Sequence, residues 1–124
     1  MNVLVTGGTG FVGREVVRQL RNAGHRIHLL ARNPESPATR EVAHQYGAKV
    51  HPGNVLDDTS LRGAFSGIDA VIHLVGIISE VRDQTFENVH VRGTRNVVAE
   101  AQNAKVAHFL HMSALGTRAD APSR

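Results

Sequence analysis

Five short segments that are typical of β-strands alternate along the chain with segments whose apolar residues recur at helical spacing. The predicted strands lie at residues 3–5, 26–31, 49–51, 70–75 and 107–112. The helical segments lie at about residues 11–23, 38–46, 57–66 and 84–103. Such alternation of strands with helices predicts a parallel sheet joined by right-handed crossovers.

The expected fold is α/β, a five-stranded Rossmann-like sheet of order 3-2-1-4-5 with helices on both faces. In this order the winding reverses between strands 1 and 4, and ligands bind at the carboxyl ends of the strands beside that point. The fourth run, Ala70–Val75, is almost wholly apolar, as a strand covered on both faces should be. We expect one domain over residues 1–116 and an irregular tail over residues 117–124.

The first strand runs directly into a turn that contains Gly7, Gly8, Gly10 and Gly13. Glycines let phosphates approach backbone N–H groups, and the helix that follows points the positive end of its dipole at them. We expect Gly13 to let this helix pack closely on the first strand. A P-loop is excluded, because G-x-x-x-x-G-K-[ST] needs a lysine and none precedes Lys49. A turn used only for packing is the alternative to a dinucleotide pyrophosphate site.

The residue at the end of the second strand bears on the choice of cofactor. An acidic residue there would bind the adenosine ribose hydroxyls of NAD, and the chain has Arg32 instead. A guanidinium can bind a 2′-phosphate, so Arg32 favours NADP(H) over NAD(H) and the lack of an acid disfavours FAD. Arg14 is a weaker candidate for a second phosphate contact. The alternative for Arg32 is a solvated loop arginine.

Composition and charge exclude several other classes of protein. The 124 residues carry a formal charge of +3 with the basic residues scattered, so specific nucleic-acid binding is not indicated. Cysteine is absent, which excludes disulfide and thiolate chemistry. The apolar runs are too short for a membrane span, and we expect a cytoplasmic protein. We expect no metal site, because the eight histidines are not spaced as ligand clusters.

Several motifs occur together in one order along the chain. They are T-G-G-T-G-F-V-G from Thr6, Arg32, G-N-V-L-D from Gly53, V-I-H-L-V-G from Val71, H-V-R-G-T-R-N-V from His90 and H-M-S-A from His111. In this order the chain resembles the extended and atypical short-chain dehydrogenase/reductases. Among these it most resembles NAD(P)-binding proteins related to the Rossmann-fold accessory subunit of respiratory complex I.

The resemblance implies roles for residues along the predicted cofactor site. Asn54 stands where the family usually has an aspartate that accepts a hydrogen bond from the adenine amino group, and Val55 would contact the adenine ring. Leu74, Val75 and Gly76 match the segment after the fourth strand that lies against the cofactor. The glycine turn would contribute Thr6, Gly7, Gly8, Thr9, Gly10, Phe11, Val12 and Gly13.

Catalysis in such families uses a serine, a tyrosine and a lysine. Ser113 matches the serine that polarises a substrate carbonyl or hydroxyl, and a capping hydroxyl is the alternative. The Tyr-x-x-x-Lys pair is missing, because Tyr46 is the only tyrosine and no lysine follows Lys105. His90 also departs from the usual structural asparagine. We therefore expect an N-terminal piece of a longer protein, which binds a cofactor without catalysing.

Three functions fit these motifs. The first is the cofactor domain of an oxidoreductase or of a nucleotide-sugar epimerase or dehydratase. The second is a non-catalytic NADP(H)-binding subunit that acts as a redox sensor or an assembly module in a larger complex. The third is a regulator that resembles the NmrA-like proteins. A Tyr-x-x-x-Lys after Arg124 would favour the first.

The fifth strand is predicted to lie at an open edge of the sheet, with unpaired backbone groups over Phe109–Met112. We predict that the 124-residue chain self-associates through this edge, as a homodimer or a larger species. Analytical sedimentation tests this expectation. A monodisperse monomer at high protein concentration would contradict it.

Overall fold

The described strands form one parallel sheet. The computed structural model describes residues 1–74 and 88–112, with the backbone alone at residues 88–90. Its strands are β1 (Asn2–Thr6), β2 (Arg26–Ala31), β3 (Lys49–Pro52), β4 (Ala70–His73) and β5 (His108–His111). All neighbours pair in parallel, in the order β3-β2-β1-β4-β5. The predicted fold class and strand order are confirmed.

Three α-helices are described between the strands: α1 (Phe11–Asn22), α2 (Pro37–Tyr46) and α3 (Thr94–Asn103). The predicted bounds of α1 and α2 are correct to within one residue. Gly24, with φ +90°, follows α1 in the left-handed conformation expected of it. Ser36 caps α2, since its Oγ accepts a hydrogen bond from the Thr39 N–H at 3.3 Å.

The third crossover differs from the predicted helix. It contains a single 3-10 turn, Asp58–Leu61, whose N-cap Asp57 accepts a hydrogen bond from the Thr59 N–H. Gly63, inside the predicted helix of residues 57–66, has φ +89°, which a continuous right-handed helix cannot include. Gly67, which was expected to end that helix, has φ +75°. The inward residues were nevertheless predicted correctly, because Leu61, Ala64 and Phe65 are all buried.

The last helix was predicted as one α-helix over residues 84–103, whereas the α-helix in the structure covers only Thr94–Asn103. A π-helical turn, Asn88–Gly93, precedes α3. A regular 3.6-residue repeat does not predict that turn. The expected inward positions Gly93, Val97 and Ala101 are buried, whereas Phe86 and the Val89 side chain lie outside the described residues.

Two apolar cores lie on opposite faces of the sheet, because side chains alternate along each strand. On one face α1 and α2 cover a core that includes Val3, Val5, Val17, Ile27, Leu29 and Val42. On the other face α3 and the 3-10 turn cover a core that includes Leu4, Leu30, Leu61, Phe65, Val71 and Val97. Helices on both faces were predicted.

Gly13 packs closely on the turn that follows β1. A Cβ at Gly13 would lie 1.9 Å from the Gly7 carbonyl oxygen and 2.8 Å from the Gly8 Cα. The close contact with the sheet belongs to Gly8, whose Cβ would lie 2.7 Å from Leu29 Cδ2. α1 can therefore begin immediately above the turn.

Two histidines form a pair on adjacent strands. His28 Nδ1 and His51 Nε2 are 2.9 Å apart, and the rings stack with centroids 5.2 Å apart. His28 Nε2 donates to the Asn2 carboxamide oxygen at 3.1 Å. Burial lowers the pKa of both imidazoles, and the positive charge of Lys49 lowers both further. For His28, the charges of His51 and Arg26 also lower the pKa.

β5 lies at one edge of the described sheet. β5 has a neighbour on one side only among the described strands, and Leu110 is 61% exposed there.

No helix in residues 1–74 and 88–112 is long and apolar enough to cross a membrane. In the same ranges, no group of three or more His, Cys, Asp or Glu side chains is placed to hold a metal ion.

Substituting Gly13 by alanine should destabilise the fold. The added methyl group would overlap backbone atoms that cannot rotate away, so we expect a loss of at least about 1–3 kcal/mol in the free energy of unfolding, measured with urea. Gly10→Ala is the matched control, because Gly10 has φ −77° and the nearest atom would be 3.6 Å away. The control should lose less than about 1 kcal/mol, the cost of a poorer N-cap. Equal losses in the two variants would refute this account of the turn.

Acidification should weaken the fold through the histidine pair. The folded-state pKa values of His28 and His51 lie below the ordinary value of 6.5, so the unfolded chain takes up protons first as the pH falls. Their contribution to stability is therefore complete above about pH 6.5, declines below it, and changes no further below the folded-state pKa values. Urea unfolding from about pH 8 to about pH 5 measures the decline. It should be shallower in the His28→Gln/His51→Gln variant and unchanged in His44→Gln, and a decline that the double substitution leaves unaltered would contradict the prediction.

Candidate cofactor-binding site

An open pocket of about 540 Å³ lies over the carboxyl ends of β1, β2 and β3. Its walls come from the glycine turn, the segment after β2 and the segment after β3. The lining residues are Thr6, Gly7, Gly8, Thr9, Leu29, Leu30, Ala31, Arg32, Asn33, Ser36, Thr39, Gly53 and Val55. A ligand was expected at this carboxyl edge of the sheet, beside strands 1 and 4, but the pocket lies on the β2 side of β1 and none of its lining residues belongs to β4.

The glycine turn presents a helix N-terminus beside the pocket. Gly7 has φ +74°, and the Gly10 N–H donates to its carbonyl at 3.3 Å, which closes the turn. α1 begins at Phe11, and its N-cap Gly10 offers no side-chain hydrogen bond to the first-turn N–H groups. No acidic residue lies in that first turn. The N–H groups and the helix dipole therefore remain available to an anion.

The Arg14 side chain forms hydrogen bonds that connect the glycine turn to α2. Its Nε donates to the Thr9 carbonyl at 3.1 Å, and its Nη1 donates to Glu41 Oε1 of α2 at 2.8 Å. This ion pair is partly exposed, so its contribution to stability is small. Arg14 was a weaker candidate for a phosphate contact, and in the structure Glu41 neutralises its charge.

Arg32 is the exposed basic residue at the rim of the pocket. It follows β2 directly, and the pocket includes it with Asn33 and Ser36. Within residues 1–74 and 88–112, no side chain or backbone group forms an ion pair or hydrogen bond with its guanidinium. Its charge is therefore free for an anionic ligand over the end of β2.

The residues predicted for the cofactor site fall into three groups. Those that line the pocket are Thr6, Gly7, Gly8, Thr9, Arg32 and Val55. Those that are described but do not line it are Gly10, Phe11, Val12, Gly13, Asn54 and Leu74. Those outside the described residues are Val75, Gly76 and Ser113. The turn, Arg32 and Val55 are thus brought together, whereas Phe11 is 94% exposed at the start of α1.

Asn54 shapes the segment after β3. Its carboxamide oxygen accepts a hydrogen bond from the Leu56 N–H at 2.9 Å, and its own N–H donates to Ser60 Oγ at 2.9 Å. Asn96 of α3 donates from Nδ2 to the Val55 carbonyl at 2.8 Å. These bonds hold the buried Val55 in the pocket wall. Asn96 lies within the His90–Val97 motif but received no role from the sequence.

A buried histidine joins the ends of β1 and β4. His73 and Thr6 are both 0% exposed, and His73 Nδ1 is 2.7 Å from Thr6 Oγ1. On its other side, His73 Nε2 is 3.0 Å from Thr94 Oγ1 at the start of α3. The Leu74 N–H donates to Thr6 Oγ1 at 3.0 Å. His73 and Thr94 both lie in quoted motifs, yet the sequence assigned them no function.

Other pocket residues had weaker signals in the sequence. They are Leu29, Leu30, Ala31, Asn33, Ser36, Thr39 and Gly53. The polar loop after β2 was visible in the sequence, but its path over the pocket was not. At Gly53 a Cβ would lie 2.7 Å from Leu30 Cδ1, so the glycine lets this segment approach the end of β2.

Comparison with known proteins gives relatives along almost the whole chain. Cinnamoyl-CoA reductase 1 of Oryza sativa subsp. japonica is 34% identical over 126 residues, which is 98% of this chain and 37% of the relative. The photosystem II assembly factor Ycf39 of Synechocystis sp. is 33% identical over 115 residues, 93% of this chain and 34% of the relative. The chain thus spans little more than a third of these proteins.

A solved structure matches in both fold and sequence. It is a short-chain dehydrogenase/reductase superfamily protein from Agrobacterium tumefaciens with bound NAD, which superposes with a TM-score of 0.71 at 32% identity. The match covers 90% of this chain and 32% of that protein. The family described as NAD dependent epimerase/dehydratase matches residues 3–122. The chain therefore belongs to the NAD dependent epimerase/dehydratase family, within the short-chain dehydrogenase/reductases that its motifs resemble.

Proposed function

We propose that this chain is the cofactor-binding domain of an NADP(H)-preferring oxidoreductase, or of a nucleotide-sugar epimerase or dehydratase. One observation carries the proposal: Arg32, which has no partner among the described residues, lines the same pocket as Gly7, Gly8 and Thr9 of the turn that leads into the uncapped N-terminus of α1. A dinucleotide with a 2′-phosphate has anionic groups at two separate places. The pocket offers a positive partner for each of them.

The adenosine half of the cofactor fits the described pocket. The pyrophosphate would lie on the N–H groups at the start of α1, and the ribose with its 2′-phosphate would lie over the end of β2 beside Arg32. Adenine would lie against Val55. Asn54 can still accept from the adenine amino group, because a carboxamide oxygen has two lone pairs and the Leu56 N–H occupies one.

The nicotinamide half would extend towards the end of β4. Leu74, Val75 and Gly76 would line its path, and Gly76 would let the backbone approach the ring. The bound cofactor supplies hydride transfer. Ser113 would orient a substrate carbonyl or hydroxyl by a hydrogen bond. The 124 residues contain no Tyr-x-x-x-Lys, so we propose that they bind a cofactor without turning over substrate.

A second candidate is a non-catalytic NADP(H)-binding module that assists the assembly of a larger complex. The similarity to a photosystem II assembly factor favours this alternative. It predicts the same pocket and the same cofactor preference. The two candidates differ in whether a protein that contains this chain oxidises or reduces a substrate, which a turnover assay on that protein decides.

Cofactor preference can be measured by calorimetric titration with NADPH and NADH. NADPH should bind more tightly, and Arg32→Ala should remove most of that difference, about 1–3 kcal/mol for a hydrogen bond between charged groups. Arg26→Ala is the matched control, since Arg26 is exposed at the opposite end of the same strand and should leave the difference unchanged. Equal affinities for the two cofactors in the unsubstituted protein would overturn the assignment of Arg32.

A further inference from the structure

Four basic side chains lie together on the face of the sheet that α3 covers. Residues two apart on a strand point to the same face, so Arg26 and His28 of β2 share a face with Leu30, which belongs to the core beneath α3. Lys49 and His51 of β3 lie beside His28 and Leu30 in the strand register. We call Arg26, His28, Lys49 and His51 the basic surface. None of these four residues lines the cofactor pocket.

The basic surface carries positive charge that no neighbour compensates. Arg26 and Lys49 are exposed and permanently charged. Within residues 1–74 and 88–112, neither side chain forms an ion pair or a hydrogen bond. Burial lowers the pKa of both histidines, and the positive charges around them lower it further. A negatively charged ligand would therefore be attracted to this surface.

The hydrogen bonds of the histidine pair determine where a further proton binds. The Asn2 carboxamide oxygen can only accept, so His28 carries its ring proton on Nε2 and its Nδ1 is an acceptor. His51 Nε2 then donates to His28 Nδ1, 2.9 Å away. The neutral pair leaves His51 Nδ1 as an unprotonated acceptor, and no group in the described part of the chain bonds to it. This lone pair repels an anion.

A proton taken up from the solvent reverses the preference of this nitrogen. Protonation of His51 Nδ1 turns the acceptor into an N–H donor and leaves the bond between the two rings intact. A carboxylate can then accept from this N–H, and the charges of Arg26 and Lys49 add to the attraction. Because a bound anion favours the charged imidazole, the binding of a carboxylate and the uptake of the proton support each other.

The spacing of the four side chains matches an extended acidic peptide. On each strand the two basic residues are two positions apart, which separates them by about 6.6 Å along the strand. An extended peptide with acidic residues at alternate positions has its carboxylates at the same spacing on one face. A nucleic acid is a poorer match, because its affinity depends on neutralising many phosphates and the surface has two permanently charged side chains, Arg26 and Lys49.

We propose that the basic surface binds an acidic, extended segment of a partner protein, and that protonation of His51 strengthens this binding as the pH falls. The inference goes beyond the proposed function, since the surface and the cofactor pocket have no residue in common. The affinity should rise between about pH 7.5 and about pH 5.5, a range in which glutamate and aspartate remain ionised.

A short capped peptide in which glutamate alternates with threonine is the probe. Calorimetry should show binding about tenfold tighter at about pH 5.5 than at about pH 7.5, the gain expected from one hydrogen bond to a charged group. Titrations in two buffers of different ionisation enthalpy measure the proton uptake directly. The same peptide with glutamine in place of glutamate is the control and should not bind. A short oligothymidylate tests whether any polyanion suffices.

Three substitutions on the basic surface separate the fixed charges from the titrating one. His51→Gln removes the nitrogen that is protonated, so the affinity should become independent of pH and the proton uptake should disappear. Arg26→Gln and Lys49→Gln should each weaken binding by about threefold at both pH values and keep its pH dependence. His44→Gln is the matched control, because His44 is an exposed histidine on α2, and it should change nothing.

The results decide the inference in either direction. Tighter binding at the lower pH that His51→Gln abolishes supports it. Absence of peptide binding, binding without proton uptake, unaltered pH dependence in His51→Gln, or equal affinity for the oligothymidylate would overturn it. Circular dichroism at both pH values reports whether each variant is folded, and if His51→Gln is not, the proton uptake and the Arg26 and Lys49 variants decide. NADPH binding without peptide binding would refute this inference and leave the proposed function intact.

Discussion

The contact between the backbone of α1 and the backbone of the preceding turn governs the geometry of this protein. Gly13 lies so close to the Gly7 carbonyl that no side chain fits between them. Because α1 starts immediately after the short turn that follows β1, its free N–H groups lie close to the end of that strand. The same approach places Gly8 against Leu29 and so brings the end of β2 beside the turn. The pocket is the space that these close contacts leave open.

Hydrogen bonds from outside the turn then hold the pocket walls in place. Arg14 connects the turn to α2, Asn96 connects the segment after β3 to α3, and His73 connects β1, β4 and α3. The side chains of Arg14 and His73 differ in their exposure to solvent. The ion pair of Arg14 is solvated and weak, whereas His73 is fully buried and its bonds lie in a medium of low dielectric constant. The end of β4 is consequently the more rigidly specified side.

Local patterns in the sequence were sufficient to predict most of the fold. Apolar periodicity and the glycine turn predicted the strands, their order, α1 and α2, and they placed Arg32 beside the turn. The third crossover was predicted wrongly because Gly63, with its positive φ, interrupts the helical spacing of the residues around it. The pairing of His28 with His51 depends on the register between two strands, and the contact of His73 with Thr94 depends on where α3 begins. Neither is encoded in spacing along one segment.

The pocket is built from one continuous portion of the chain. Every residue that lines it falls between Thr6 and Val55, before β4 begins. In the proposed function, the residues that would bind the adenosine end are therefore separate in the chain from those expected beside a substrate, which follow β4 and β5. The residues after β4 can consequently change without any change in the walls of this pocket.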